Sequence, residues 1–314
     1  MIKQQQYYVT PGKLLITGEY LILEGAEGLA LPLAFGQDME VVQQDKPTLI
    51  WKALYPEGSW FSGEFELPSL KILKASDAGF AQRLVDILKD VRRLNPDFLS
   101  KPEGRMVTTK LGFNPDFGFG SSSTLVVNLS KWAAVDAFKL QQLTFKGSGY
   151  DIACGLEGKP VIYKLSGEKP SYFPVGFNPA FAGNLFFVYQ GKKQKSLDAI
   201  TTFRKKASFS SSQIEKITSI THDIVDANSL KEFEKLLIEH EAIMENILQI
   251  PAAGHQLFKW YQGGVVKSLG AWGGDFVMIT SKKDPKHFKK EMMDHGFNVV
   301  YGFNEIVLRN STNC

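Results

Sequence analysis

The chain has 314 residues, of which 44% are hydrophobic and 22% are charged, and its formal net charge at pH 7 is +3. This length suits one large domain or two ordinary ones, and the weak charge gives no reason to expect a nucleic-acid partner. No run of about 18 apolar residues indicates a membrane span. The N-terminal segment lacks the apolar core of an export signal, and two cysteines give no disulfide framework. We therefore expect a cytoplasmic globular protein.

Short apolar segments predict a sheet in the first part of the chain. Val9–Thr17 is interpreted as a turn followed by a strand, and the glycine-interrupted segment Gly18–Leu33 as further strand. Asp77–Leu94 has apolar residues on one helical face and predicts an amphipathic helix. Further strands are predicted at Met39–Val42, Thr48–Trp51, Gly63–Leu67 and Arg105–Thr109.

The segment PDFGFGSSST, Pro115–Thr124, leads directly into an apolar-periodic run, Leu125–Phe138. Glycines 118 and 120 let the backbone bend where a side chain would clash, and three serines follow where a helix should start. The unpaired N–H groups and dipole of a helix N-terminus favour an anion, so the stretch predicts a phosphate site. It lacks the Walker GK[ST] sequence. The alternative is a glycine–serine loop that only caps a helix.

The middle of the chain predicts a domain boundary. A short helix is expected at Ala137–Phe145 and a strand at Pro160–Leu165, and the Pro/Gly-rich stretch Gly167–Gly183 has the composition of a linker. The sequence thus predicts domains at 1–170 and 184–314.

The second half of the chain mixes strands and helices, which predicts a second α+β domain. Ser229 and Glu232 form a capping-box pattern at one helix start. The predicted strands are Leu185–Tyr189, Val265–Ser268, Phe276–Thr280, Val299–Tyr301 and Ile306–Leu308. Besides two helical segments after residue 196, helices are predicted at Gly254–Tyr261 and Pro285–His295.

Four stretches taken together, TPGKLLITGEYLILEG, PDFGFGSSST, GSGYDIACG and KSLGAWGGD, resemble the GHMP kinases, named for galacto-, homoserine, mevalonate and phosphomevalonate kinases. The motifs occur in family order between Pro11 and Phe276. The resemblance implies an α+β fold of two domains, the N-terminal one ribosomal-protein-S5-domain-2-like and the C-terminal one a ferredoxin-like sandwich. It also implies ATP and Mg²⁺ as cofactors.

The first and third motifs concern the acceptor. Pro11, Gly12, Lys13, Gly18 and Glu19 match the family's first motif, and the resemblance places Lys13 beside the acceptor, where an ammonium favours an anionic oxygen. The alternative is an exposed lysine at a strand edge. The residues predicted to bind the acceptor are Glu19, Tyr20, Ser148 and Gly149.

The glycine–serine loop and the last motif concern the nucleotide. The resemblance implies that the loop amides wrap the phosphates, that Ser122 approaches Mg²⁺, and that the last motif braces the loop. Trp272 replaces a glycine there, which could crowd the loop or cover the nucleotide; the alternative for this motif is an ordinary β-turn. The predicted nucleotide-binding residues are Pro115, Gly118, Phe119, Gly120, Ser121, Ser122, Ser123, Gly270, Ala271 and Gly273.

Asp151 is the predicted acid/base residue. The resemblance places an aspartate near Lys13 to accept the proton of the attacking hydroxyl, and a carboxylate beside an ammonium stays ionised at neutral pH. The alternative is an Asx turn or a helix N-cap. One departure is that no acidic residue lies between Asp136 and Asp151, where the family carries a magnesium-binding glutamate. That indicates an altered metal shell, a slower enzyme or no catalysis.

Tyr20, the GSGYD form and Asp275 look more like phosphomevalonate kinases than mevalonate kinases. The basic turn of Lys192, Lys193 and Lys195 either holds a second phosphate or is a solvated turn. We expect a kinase that transfers the γ-phosphate of ATP to mevalonate or phosphomevalonate, a small anionic or hydroxylated acceptor, with a homodimer left open. The alternatives are a non-catalytic nucleotide- or metabolite-binding protein and a kinase for another acceptor such as a sugar.

Overall fold

The computed structural model describes residues 5–192, 203, 208–272 and 274–309. The chain forms two compact units, and each is discontinuous in sequence. Unit 1 comprises the described residues within Met1–Gly12, Phe35–Pro115 and Phe119–Leu156, and unit 2 those within Lys13–Ala34, Asp116–Gly118 and Glu157–Cys314.

The strands are β1 (Gln5–Leu15), β2 (Glu27–Gln44), β3 (Thr48–Tyr55), β4 (Gly58–Glu66), β5 (Ile72–Ala75), β6 (Gly104–Leu111), β7 (Val161–Ser166), β8 (Lys169–Pro174), β9 (Leu185–Tyr189), β10 (Val266–Ser268), β11 (Phe276–Thr280) and β12 (Val300–Gly302). The α-helices are α1 (Ala78–Leu94), α2 (Ser121–Ala133), α3 (Ala137–Thr144), α4 (Tyr150–Glu157), α5 (Ser211–Asp226), α6 (Leu230–Leu248), α7 (Pro285–Asp294) and α8 (Phe303–Ile306). The predicted α+β class is confirmed.

Unit 1 is a mixed sheet covered by helices. Its strand order is β5-β4-β3-β6-β2, in which β3 and β6 run parallel and the other neighbours run antiparallel. Asp77 caps α1 by accepting from the Phe80 amide. The apolar face of α1 is buried as its 3.6-residue period predicts, and Leu88 joins a core with Trp51, Val107 and Val126. This core fixes the start of α2, which follows the glycine–serine loop.

Unit 2 contains a second sheet, with the order β10-β11-β9-β12 and antiparallel pairing throughout. Phe186 and Val277 of this sheet pack with Phe288 and Met292 of α7. Unit 2 also contains the first part of β2, which pairs with β7, and β7 pairs with β8. In the described part of the chain, no helix is both long enough and apolar enough to cross a membrane.

The prediction of a linker at Gly167–Gly183 is wrong for Lys169–Pro174, because this segment is strand β8. It pairs antiparallel with β7, with Val161 opposite Pro174 at one end and Ser166 opposite Lys169 at the other. β8 is the last strand in its sheet, and proline is tolerated at such an edge because one side of the strand needs no ladder hydrogen bond. The division into domains 1–170 and 184–314 stays a prediction about folding units.

Other local predictions fail for identifiable reasons. β1 runs through Pro11–Gly12 without a turn; a Cβ on Gly12 would lie 2.9 Å from the carbonyl oxygens of Phe35 and Phe119, so this glycine permits close backbone approach. Leu21–Glu24 is a 3₁₀ helix that ends at left-handed Gly25. The helix predicted at Gly254–Tyr261 is reduced to a 3₁₀ turn. The strand predicted at Ile306–Leu308 does not form, because Phe303–Ile306 is helical and only Val307 of that segment makes a β-bridge.

Candidate functional site

The glycine–serine loop of unit 1 ends at an uncapped helix. α2 begins at Ser121, and its N-cap is Gly120, which has φ 90° and offers no side chain to bond the first amides. Ser123 and Thr124 direct their hydroxyls back to the carbonyl oxygens of Gly120 and Ser121, at 2.9 and 3.0 Å, and Ser122 is exposed. Because glycine is itself an accepted N-cap residue, the loop that only caps a helix stays an alternative to the phosphate site.

Three predicted motifs meet around Gly118 within unit 2. Lys13 donates from Nζ to the Gly118 carbonyl oxygen at 2.9 Å. Gly118 has φ 70°, and a Cβ at this position would lie 2.5 Å from Oδ2 of Asp275. The Phe117 ring packs against Tyr189 at 4.9 Å. Gly118 is thus bonded to a lysine of the first motif and lies against a carboxylate of the last.

The last motif is anchored to Tyr20, also in unit 2. The Tyr20 hydroxyl donates to the Ala271 carbonyl oxygen at 2.9 Å, and burial raises the pKa of this phenol. Trp272 is only 2% exposed and packs in a cluster with Tyr20, Leu21 and Met244. It is therefore a core residue, and its ring is not free to cover a nucleotide. Gly270 has φ 57°.

Some predicted positions lie outside the described residues. These are Gly273, Lys193 and Lys195. Lys192 is described, and its carbonyl oxygen accepts from the Asp275 amide at 2.7 Å.

A buried ionic cluster, which the sequence analysis did not find, lies behind the first motif. The Lys267 ammonium is 2.6 Å from Oε1 of Glu19 and 3.2 Å from Oε1 of Glu241. Nε2 of His240 accepts from the Gly18 amide at 3.2 Å and lies 3.2 Å from Oε2 of Glu19. Lys267, Glu19 and His240 are 0% exposed. We call Glu19, His240, Glu241 and Lys267 the buried cluster.

Desolvation sets the charges in the buried cluster. Burial raises the pKa of Glu19 to about 7, against the opposing effect of Lys267. Burial and the Lys267 charge hold the pKa of His240 well below its usual range, so its imidazole is neutral. Burial alone would lower the pKa of Lys267, but the Glu19 and Glu241 carboxylates outweigh this effect and raise it. Glu19, predicted to bind the acceptor, is enclosed by protein.

The sequence did contain a signal for this cluster. His240 and Glu241 stand on the apolar stripe of α6, between the buried residues Leu237 and Met244, and Lys267 interrupts an apolar strand. Charged residues rarely occupy fully buried positions unless they are paired. Polar residues at core positions therefore indicated a buried network, although not its partners.

Asp151 lies in the first turn of α4, in unit 1. Its Oδ1 accepts from the Ile152 amide at 3.1 Å and from Nε2 of Gln141 at 3.0 Å. The Ala153 amide bonds to the Gly149 carbonyl oxygen, so the helix starts before Asp151 and the N-cap interpretation is wrong. Ser148 and Gly149 are buried.

The predicted site residues fall in both units. Those in unit 1 are Pro115, Phe119, Gly120, Ser121, Ser122, Ser123, Ser148, Gly149 and Asp151, and those described in unit 2 are Lys13, Glu19, Tyr20, Gly118, Gly270 and Ala271. Phe119 is fully buried beside Phe113. That Lys13 and Asp151 face the same γ-phosphate stays a prediction.

Among the described residues, no group of three or more His, Cys, Asp or Glu side chains could hold a metal ion. Mg²⁺ bound to a nucleotide needs only one or two protein ligands, because phosphates and water complete its shell. The exposed Ser122 hydroxyl is an oxygen donor of the type that Mg²⁺ prefers. It fits a nucleotide-bound Mg²⁺ but not an ion held by the protein alone.

Comparison with solved structures gives matches over nearly the whole chain. A Methanococcus jannaschii mevalonate kinase superposes with a TM-score of 0.72 at 15% identity, covering 98% of this chain and 99% of that one. A Streptococcus pneumoniae phosphomevalonate kinase in complex with phosphomevalonate and AMPPNP gives 0.69 at 18% identity, covering 94% and 99%. A Lactococcus lactis galactokinase complexed with galactose gives 0.63 at 14% identity, covering 95% and 92%.

Sequence comparisons do not add to this result. No protein-family model matches the chain, and a search of curated proteins gives no match. At 14–18% identity the structural matches establish the fold. The order of the four motifs agrees with that fold, and the chain therefore has the two-domain α+β fold of the GHMP kinases.

Proposed function

We propose that the chain is an ATP-dependent kinase whose glycine–serine loop binds the phosphates of the nucleotide. The observation that carries this proposal is the uncapped start of α2, where Gly120 leaves the first amides without a side-chain partner. Unpaired amides and the helix dipole favour a polyanion. Lys13, which contacts the loop at Gly118, adds positive charge to the same loop.

In the proposed reaction, positioning and charge neutralisation do most of the work. Asp151 accepts the proton of the attacking hydroxyl, and Lys13 stabilises the oxygen that becomes anionic. Ser122 is the residue that we propose to hold the nucleotide's Mg²⁺, which would neutralise the negative charge that develops on the phosphates.

For the acceptor we propose mevalonate or phosphomevalonate. The support is the likeness to the mevalonate and phosphomevalonate kinases, together with the GEY and GSGYD forms of two motifs. A sugar acceptor has support from the galactokinase match. For a phosphorylated acceptor, which is already anionic, Asp151 would orient the nucleophile more than deprotonate it.

The test is ADP release with ATP and Mg²⁺ against mevalonate, phosphomevalonate, homoserine and several sugars. We expect ADP production that depends on one acceptor and falls by orders of magnitude in Asp151→Ala, with a modest loss of ATP affinity measured by calorimetry. Near-normal turnover in that variant would remove Asp151 from its proposed role. Absence of ATP binding by the wild-type protein would overturn the nucleotide site.

A second candidate is a non-catalytic nucleotide- or metabolite-binding protein of the same fold. It is favoured by the absence of any acidic residue between Asp136 and Asp151. It predicts ATP binding by calorimetry without ADP release for every acceptor tested, which separates it from the kinase.

A further inference from the structure

One buried polar side chain contacts Asp151 and has no role in the proposed mechanism. Gln141 lies on α3, ten residues before Asp151, and is only 3% exposed. Its Nε2 donates to Oδ1 of Asp151 at 3.0 Å. Apart from the Ile152 amide, which belongs to the same helix as Asp151, this is the hydrogen bond that holds the carboxylate in place within unit 1.

Chemistry fixes the orientation of this amide. A carboxylate can only accept hydrogen bonds when ionised, so the NH₂ group of Gln141 has to face it. The opposite end of the amide, Oε1, is buried and has no hydrogen-bond partner in the described residues. Gly147 lies near this amide, since a Cβ added to Gly147 would be 3.6 Å from Nε2 of Gln141.

An unpaired buried amide oxygen destabilises a fold, because its hydrogen bond to water is lost on folding and not replaced. An apolar side chain of the same length, such as methionine, would avoid this cost, and the partly exposed Asp151 carboxylate could then be solvated by water. A residue chosen for stability alone would therefore not be glutamine. The gain from the amide lies in what it does to Asp151.

We propose that Gln141 is a positioning residue: its amide fixes the orientation of the Asp151 carboxylate as the proton acceptor. This inference rests on the proposed kinase function, in which Asp151 receives the proton of the acceptor hydroxyl. A carboxylate that is already held in place lowers the entropy cost of reaching the reactive geometry.

The charged groups near this pair in unit 1 do not replace the amide. Arg83 donates to the Thr144 carbonyl oxygen at 2.6 Å and lies over the Phe145 ring at 4.6 Å. On α3 and in the loop after it, Lys139 and Lys146 are exposed. Within the described residues of unit 1, no lysine, arginine or histidine forms an ion pair with Asp151.

The test compares Gln141→Met with a matched control on the same helix, Gln142→Met, because Gln142 is exposed and bonds only weakly to the Gly147 carbonyl oxygen at 3.3 Å. In Gln141→Met we expect an unchanged or higher melting temperature. We expect kcat to fall about 10- to 100-fold and the KM for ATP to stay the same. Gln142→Met should match the wild type in all three quantities.

A second variant, Gln141→Glu, replaces the amide donor with a second acidic group at the same place. We expect its kcat to fall at least as far as that of Gln141→Met, because the donor that holds the Asp151 carboxylate is lost. If Gln141→Met instead lowers the melting temperature and leaves kcat unchanged, Gln141 is a structural residue and the inference is wrong.

Crystal structures of the wild type and of Gln141→Met separate this inference from the proposed function. If the wild type releases no ADP with any acceptor, the kinase proposal fails and takes the catalytic role of Gln141 with it. The positioning effect is still decided, because the Asp151 carboxylate should keep one orientation in the wild type and take several in Gln141→Met. A single, unchanged orientation in both proteins overturns it.

Discussion

Lys267 and Glu19 form an ion pair in the interior of unit 2, with 2.6 Å between Nζ and Oε1 and both side chains 0% exposed. Glu19 belongs to the first glycine motif, and Lys267 lies three residues before Gly270 of the last. The pair therefore joins two motifs that are far apart in sequence, and the Tyr20–Ala271 hydrogen bond joins them again. The buried cluster is in this sense part of what holds the candidate site in shape.

Removing the buried Lys267 ammonium should lower the free energy of unfolding much more than removing the ammonium of a surface lysine. Lys267→Met leaves the Glu19 and Glu241 carboxylates buried without a counter-charge, and such a change destabilises a protein by about 3–5 kcal/mol. The measurement is the free energy of unfolding in urea at pH 7.5. The control is Lys282→Met at an exposed position, which should change stability by less than about 0.5 kcal/mol.

The double variant Lys267→Met/Glu19→Gln tests the pairing itself. It removes one carboxylate together with the ammonium, so we expect part of the lost stability to return. Equal losses in the single and double variants would mean that Lys267 acts through packing and not through its charge.

Glu19 should give the protein an unusual dependence of stability on pH. The pKa of Glu19 is about 7 in the fold and 4.5 in the unfolded chain, so the folded state binds more protons between these values. The stability that this raised pKa contributes is fully present below pH 4.5 and is lost as the pH rises towards 7, by about 3 kcal/mol at most. The measurement is the unfolding free energy at pH 5 and at pH 7.5. Because Glu19→Gln lacks this loss, the change in its unfolding free energy from pH 5 to pH 7.5 should be more positive than that of the wild type. An identical change in both proteins would contradict a protonated Glu19.

His240 should act in the opposite direction. Its pKa lies well below 6.5 in the fold, whereas the histidine of the unfolded chain takes up a proton as the pH falls through 6.5. The neutral imidazole therefore contributes stability above pH 6.5 that is lost on acidification. His240→Gln stays neutral throughout. The unfolding free energy should rise less from pH 5 to pH 7.5 in His240→Gln than in the wild type. A rise at least equal to that of the wild type would refute the assignment of a neutral His240.

Much of the fold could be predicted from the sequence because periodicity reports burial directly. The helix at Asp77–Leu94 and the strand at Leu185–Tyr189 were predicted to within a residue or two. Segments containing glycine and proline were misjudged, since these residues mark either a turn or a close backbone approach. Gly12 is an example of close backbone approach, which depends on neighbours that are distant in sequence.

The candidate site was only partly predictable for a similar reason. The uncapped start of α2 follows from the residues themselves, because a glycine at the N-cap has no side chain to offer. The enclosure of Glu19 depends on Lys267 and His240, which are more than 200 residues away. The burial of Trp272 likewise depends on helices of the second half of the chain, so its sequence position suggested a role that its packing excludes.

The last prediction concerns the contact between Gly118 and Asp275. In Gly118→Ala the residue must hold φ 70°, which costs an L-residue roughly 1–2 kcal/mol, and its Cβ would lie 2.5 Å from Oδ2 of Asp275. The carboxylate must therefore move as well. We expect the unfolding free energy to fall by more than the backbone strain alone explains.

Gly270→Ala is the matched control, because Gly270 has φ 57° but its Cβ would meet nothing within 4 Å. It imposes a similar backbone strain without the steric conflict, so the difference in unfolding free energy between the two variants measures the displacement of Asp275. Adding Asp275→Ser, a smaller side chain, to Gly118→Ala should remove most of that difference. Equal losses in Gly118→Ala and Gly270→Ala would show that the Asp275 carboxylate moves aside freely, and that the loop at Gly118 is not held by it.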